Sequence, residues 1–180
     1  NKYRILVTPF QKYAARLVAM RKTEILIQMI CDQYGITVCQ SAKDVDRPLR
    51  AIGTAVEIVS STYGKDSGKY VFCWMLALMK SVEWLNDRTY VMNALTSWFM
   101  RSLSQVYAEA EKIGKVPAFT KNLQKSLIKL SPQLIYNYGR VNYPLMTKEG
   151  STLTVLSAIA RGALKASDIL KVKPSMDKPR

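Results

Sequence analysis

The chain has 180 residues, 48% of them hydrophobic, and its 27 Lys and Arg against 13 Asp and Glu give a formal net charge of +14. This apolar content is enough to bury a core, which excludes disorder for most of the length, while no apolar run reaches the roughly 18 residues that a membrane span requires. The chain contains no histidine, which excludes Ser-His-Asp and Cys-His catalytic systems and most zinc sites.

Helix signals dominate the first third of the chain. Pro9 opens a helix with apolar residues at a 3-4 spacing, and a second helix continues to Tyr34, where Gly35 is a good residue to end it. The short β-branched stretch 36–39 is the one segment that we expect to be extended. The three cysteines (Cys31, Cys39 and Cys73) are an odd number in apolar surroundings, which predicts reduced core residues in a cytoplasmic protein.

The middle of the chain contains the strongest candidate for a buried helix. Asp46 is expected to cap a helix that has Pro48 in its first turn and ends near Gly64. The next helix, over 69–85, is apolar nearly all round, so it is predicted to lie at the centre of the core with Trp74. Four further helices are predicted over 88–113 (with a break near Ser102), 121–130 (capped by Thr120, after a linker at Val116-Pro117), 132–138 and 152–169 (capped by Ser151).

These elements predict an all-α fold. About eight short helices with joints of two to eight residues are typical of an orthogonal multi-helix bundle, with at most one short extended segment. We expect a single helical domain over residues 1–170. The tail 171–180, which has two prolines and four basic residues, is expected to be flexible.

The positive charge is concentrated at the two ends of the chain. Residues 112–180 contain thirteen basic and three acidic residues, residues 1–24 contain six and one, and residues 25–111 contain eight and nine. A surplus of this size attracts nucleic acid, anionic lipid or an acidic protein through the summed field and through counterion release. The two ends are therefore where we expect a polyanion to bind.

The most informative local pattern is a lysine row at positions 121, 125 and 129. A spacing of four places these lysines on one face of a helix, opposite Leu123, Leu127 and Leu130. Like charges in this arrangement repel each other, and a run of phosphates would compensate them; an ordinary solvated helix face is the alternative. The candidate nucleic-acid-binding residues are Lys112, Lys115, Lys121, Lys125, Lys129, Arg140, Lys171 and Lys173.

Two other patterns have a functional and a structural interpretation. Tyr136, Tyr138 and Tyr143, interleaved with Arg140, either stack on bases or pack into the bundle. The acidic pairs Asp44/Asp46 and Glu83/Asp87 could in principle hold Mg²⁺, but a metal nuclease needs about three convergent carboxylates, and capping or solvated carboxylates are the simpler interpretation. The eight glycines are scattered singly, without a phosphate loop. We therefore predict no catalytic centre, no metal and no cofactor.

From about Phe10 onward, the order of features resembles the helical region that follows the ParB/sulfiredoxin-like domain in some phage and plasmid proteins. The matching features are the helix around Gln11–Leu17, the helix that ends at Tyr34-Gly35-Ile36, the helices near 50–63, 69–84 and 90–99, and a closing helix near 152–164. The resemblance implies a DNA-associated protein, and it places the ParB-like nucleotide or nuclease residues upstream of this sequence. The first residue, Asn1, is consistent with a piece of a longer chain.

These observations favour a non-enzymatic nucleic-acid-binding module, with DNA as the expected partner. The alternative is an interaction subunit or inhibitor that docks an acidic partner protein. A membrane partner is disfavoured because no predicted helix combines a lysine-rich face with a bulky Trp/Phe face.

Overall fold

The computed structural model describes residues 6–171. In that range the chain forms ten α-helices and a single 3-10 helix, over Trp84–Asn86. The α-helices are α1 (Pro9–Val18), α2 (Lys22–Gln33), α3 (Ile52–Ser60), α4 (Gly68–Ser81), α5 (Arg88–Ala94), α6 (Ser97–Lys112), α7 (Val116–Leu127), α8 (Pro132–Asn142), α9 (Lys148–Ala160) and α10 (Ala166–Leu170). The predominantly helical fold is therefore confirmed, with ten described α-helices instead of about eight. The orthogonal arrangement of the bundle stays a prediction.

Four two-residue strands correct the expectation of at most one extended segment. Strand β1 (Thr37–Val38) pairs in parallel with β2 (Pro48–Leu49), and β3 (Thr62–Tyr63) pairs antiparallel with β4 (Asp66–Ser67). Pro48 is therefore in a strand and not in the first turn of a helix. A proline has no N–H to donate, so the end of a short edge strand accommodates it well.

Three predicted helix starts differ from the observed ones. The break in the stretch 88–113 lies at Thr96, whose hydroxyl accepts from the Phe99 N–H at 3.4 Å, and not at Ser102, which is buried inside α6. Helix α9 is capped by Thr147 and not by Ser151. Helix α7 begins at Val116 with Pro117 in its first turn, where proline is favoured, so the predicted linker is the start of this helix.

One continuous hydrophobic core extends from Tyr13 to Ile169. Helix α4 buries most of its apolar side chains there, as expected, and α6 contributes a second buried face. The most deeply buried tryptophan, however, is Trp84 and not Trp74. Trp84 is 1% exposed, whereas Trp74 is only half-buried and donates its Nε1–H to the Thr120 hydroxyl at 3.0 Å.

Trp84 connects the core to the end of α7. Its Nε1–H is shared between the carbonyl oxygens of Leu130 at 2.9 Å and Leu127 at 3.2 Å. Leu127 is the last residue of α7, and Leu130 lies just beyond it. A buried side chain thus fixes the C-terminal end of the helix that carries the lysine row.

The cysteines and the helix lengths complete the description. Cys31, Cys39 and Cys73 are free; the first two are buried, and Cys73 is partly buried. Within residues 6–171, no helix has both the length and the apolar character needed to cross a membrane.

Candidate nucleic-acid interface

Helix α7 separates an apolar face from a lysine face. Phe119, Leu123 and Leu127 are buried against the core, while Lys121 and Lys125 are exposed. The two sets are offset by two residues, or about 200° around the helix, which places them on opposite sides. Lys129 is also exposed, but it lies in the turn that follows α7. The predicted lysine row is therefore present, with two members on the helix and the third just beyond it.

The position of these lysines also stabilises the helix itself. Lys125 lies in the last turn of α7 and Lys129 follows it, where a cation interacts favourably with the helix dipole by about 0.3–1 kcal/mol. This contribution is comparable to the repulsion between lysines four residues apart, about 0.2–0.5 kcal/mol per pair. The row is consequently compatible with a stable helix even when no partner is bound.

Within the described part of the chain, the lysines around α7 have no carboxylate within ion-pair distance. All three ion pairs found within residues 6–171 use arginines: Arg16–Glu24, Arg101–Glu57 and Arg161–Glu109. Over residues 112–171 there are ten basic side chains and two acidic ones, Glu149 and Asp168. Positive charge therefore predominates over this part of the chain.

The fold adds a fourth lysine that sequence reasoning missed. Helix α9 ends at Ala160, and the chain turns at Gly162, which has a φ of +78°. This turn brings Lys165 to the same pocket as Lys125 and Lys129. Gly162 is typical of a residue that ends a helix. If the predicted closing helix had been ended there, Lys165 would have been placed outside it.

The other predicted binding residues are distributed over several elements. Lys112 ends α6, and Lys115 precedes α7, so both are exposed at the opposite end of α7 from Lys129. Arg140 is exposed on α8, which packs mainly on α9, α5 and α10, whereas α7 packs on α9, α6 and α4. Lys171 is exposed after α10. Lys173 and the rest of the predicted tail lie outside the described residues.

The three tyrosines of the predicted cluster pack against the core or against another aromatic ring. Tyr138 and Tyr143 are partly buried against the core. Tyr136 packs on Trp98 with ring centroids 5.4 Å apart, and the Lys148 ammonium lies 4.2 Å from the centroid of each ring. Lys148 thus supplies the cation that such aromatic faces attract.

The acidic pairs do not form a metal site in the described residues. Asp87 caps α5 by accepting from the Tyr90 N–H at 3.1 Å, and Glu83 contacts the side-chain amide of Asn86. Asp46 does not cap a helix, because strand β2 follows it. Among residues 6–171, no group of three or more His, Cys, Asp or Glu side chains could hold a metal ion.

The N-terminal basic region differs from the surface around α7. Arg16 lies 3.4 Å from Glu24, whose side chain is only 3% exposed. Tyr13 on α1 also contacts α2, because it donates its hydroxyl hydrogen to the side chain of Gln28 at 2.8 Å. Part of the N-terminal charge is therefore used to hold α1 on α2, while Lys12, Arg21 and Lys22 remain exposed.

Comparison of the chain with models of protein families, with curated proteins and with solved structures gives no match.

Proposed function

We propose that the protein is a non-enzymatic, cytoplasmic nucleic-acid-binding module, with DNA as its expected partner, and that it binds the phosphate backbone on the surface around α7. The observation that supports this proposal most directly is the set of four exposed lysines, Lys121, Lys125, Lys129 and Lys165, without a carboxylate within ion-pair distance in the described residues. Lysine acts as a point charge toward phosphates, and such contacts position a protein without reading the base sequence.

Further support comes from the order of the helices. The resemblance to the helical region of ParB-like phage and plasmid proteins implies association with DNA. Lys112, Lys115, Arg140, Lys171 and Lys173 add further positive charge for nucleic acid in this proposal. Phosphate contacts from this many lysines predict strongly salt-dependent binding with little preference for sequence.

The decisive experiment is a salt series of DNA binding by the wild-type protein and by the triple variant Lys121→Gln, Lys125→Gln, Lys129→Gln. Each lost phosphate contact flattens the slope of log affinity against log salt by about 0.7–0.9. The triple variant is therefore expected to bind more weakly, with a slope shallower by about two, and equally so on unrelated sequences. An unchanged slope would contradict the proposal for this surface.

A matched control separates position from net charge. The triple variant Lys43→Gln, Lys65→Gln, Lys69→Gln also removes three positive charges, but from exposed positions in the nearly neutral middle of the chain. Its slope is expected to stay close to that of the wild type, because these lysines are outside the proposed surface. Equal flattening in both variants would mean that only the total charge matters.

A second candidate is supported by exposed apolar side chains near the same lysines. Ile128 is 54% exposed beside Lys129, and Leu170 is 53% exposed beside Lys171. Apolar groups contribute little to contacts with phosphates but are common at protein interfaces. Docking of an acidic protein would lose affinity on Ile128→Ser, whereas binding of a phosphate backbone would not.

A further inference from the structure

The end of the lysine row is a pocket, which we name the lysine pocket. It lies between the C-terminal half of α7 and the connection from α9 to α10, and its volume is about 260 Å³. Three lysines line it: Lys125 and Lys129 from one wall and Lys165 from the other. The lysine row is thus open along α7 and is enclosed by a second wall only at this end.

The walls of the lysine pocket are held together without using its charges. Asn122 donates its side-chain N–H to the carbonyl oxygen of Ala160 at 2.8 Å, which fixes α7 to the end of α9. Asp168 is the nearest acidic residue in sequence, and its carboxylate accepts the backbone N–H of Lys165 at 2.9 Å. No acidic side chain lines the pocket itself. The hydroxyls of Ser126 and Ser167 are also in the lining and supply neutral donors.

We propose that the lysine pocket binds a phosphomonoester group. A phosphomonoester carries a charge of about −1.5 to −2 at pH 7 and presents three strong acceptor oxygens, so it matches three lysines better than an internal phosphodiester, which carries one charge. The volume of about 260 Å³ is large enough for a phosphate group.

Two sources could supply this group, a strand end or a free phosphate. The end of a nucleic-acid strand that follows the lysine row would place its terminal phosphate in the pocket; this identification rests on the proposed function. Binding of inorganic phosphate to the pocket does not rest on it. The two parts are therefore tested separately.

The first arm uses inorganic phosphate alone. Titration is followed by the amide NMR signals of α7 and of the α9–α10 connection in the wild type, in Lys165→Gln and in the control Lys43→Gln. Phosphate is expected to shift signals around the pocket, and Lys165→Gln is expected to weaken binding roughly tenfold, as the loss of a hydrogen bond to a charged group does. The control is expected to bind like the wild type. Absence of shifts around the pocket overturns the proposal, even if the protein still binds DNA.

The second arm uses one oligonucleotide with a phosphate at its 5′ end, at its 3′ end or at neither end. A terminal phosphate is expected to tighten binding several-fold at pH 7.5, and Lys165→Gln is expected to remove this gain. The gain should shrink at pH 5, because the second proton of a phosphomonoester has a pKa of about 6. If inorganic phosphate binds but all three oligonucleotides bind equally, the strand-end identification is wrong and the pocket takes a free phosphate.

Discussion

The two basic ends of the chain have the same sign of charge but use it differently. At the N-terminal end, Arg16 lies against the buried carboxylate of Glu24, so this charge contributes to packing. At the C-terminal end, Lys121, Lys125 and Lys129 face solvent without a carboxylate in ion-pair distance in the described residues. A count of basic residues therefore does not separate charge that is used in packing from charge that is left exposed.

The largest expected effect on the free energy of unfolding comes from Trp84, which contacts the end of α7. Trp84→Ala removes a fully buried ring and two hydrogen bonds to the end of α7, which is expected to lower the free energy of unfolding by about 3–5 kcal/mol. Urea denaturation measures it. Trp74→Ala is the control, and it should lower the free energy of unfolding less because Trp74 is only half-buried. An equal or larger loss for Trp74 would show that α7 is held mainly from its N-terminal half.

The difference between these two tryptophans shows where prediction from sequence fails. Periodicity correctly predicts that the segment around 69–85 is buried. It does not predict that α4 ends at Ser81 and that Glu83, with a φ of +66°, redirects the chain so that Trp84 points into the core. Such a backbone conformation is uncommon for a residue other than glycine, so the local sequence does not indicate it.

Helix caps are also difficult to predict from the sequence, whereas the lysine row follows from a local pattern. Thr120 was predicted as a cap, but its hydroxyl is engaged inside α7 with the Val116 carbonyl and with Trp74. That choice depends on a tertiary contact, which a local signal does not contain. A spacing of four places Lys121 and Lys125 on one helix face, and the leucines on the opposite face predict that the lysines are exposed. The position of Lys165 beside Lys125 and Lys129 could not be predicted in this way, because it depends on how the connection from α9 to α10 packs near α7.

Alkaline pH is expected to destabilise the protein through two buried groups in α1 and α2, the Tyr13 hydroxyl and the Cys31 thiol. Burial raises the pKa of the Cys31 thiol from 9.0 to about 12, and burial also raises the pKa of the Tyr13 hydroxyl. As the pH rises, the Cys31 thiol loses its proton in the unfolded chain before it does so in the folded protein. Its contribution to the free energy of unfolding is therefore fully present below pH 9 and is lost as the pH rises from 9 to about 12. The loss is at most about 1.4 kcal/mol per pH unit for this thiol. Denaturant titrations from pH 8 to 11 measure it, and Cys31→Ala should reduce the decline.

Glu24→Gln tests whether the N-terminal pair is structural. Removing one partner of a fully buried ion pair destabilises a protein by about 3–5 kcal/mol, but Arg16 is 47% exposed and can be hydrated, so about 1 kcal/mol is expected. The exposed pair Arg101–Glu57 provides the control, because Glu57→Gln should change the free energy of unfolding by only a few tenths of a kcal/mol. If both variants unfold at the same urea concentration, the N-terminal pair contributes no more than a surface pair, and the contrast between the two ends is lost.

The smallest expected effects come from neutralising three exposed cations at either end. In the triple variant Lys121→Gln, Lys125→Gln, Lys129→Gln, the relief of like-charge repulsion and the loss of favourable dipole interactions nearly cancel, so the melting temperature should hold or rise slightly. In Lys12→Gln, Arg21→Gln, Lys22→Gln, the melting temperature should also rise slightly, because Lys22 lies at the start of α2, where a cation is unfavourable.

The two triple variants should differ little in melting temperature but should differ clearly in DNA binding. The C-terminal triple is expected to flatten the salt slope of DNA binding by about two, and the N-terminal triple by less than one. The reason is geometric, because Lys121, Lys125 and Lys129 follow one side of α7 and its end and can meet successive phosphates. The three N-terminal cations are divided between α1 and the start of α2. A larger change of slope in the N-terminal triple would move the proposed interface to α1 and α2.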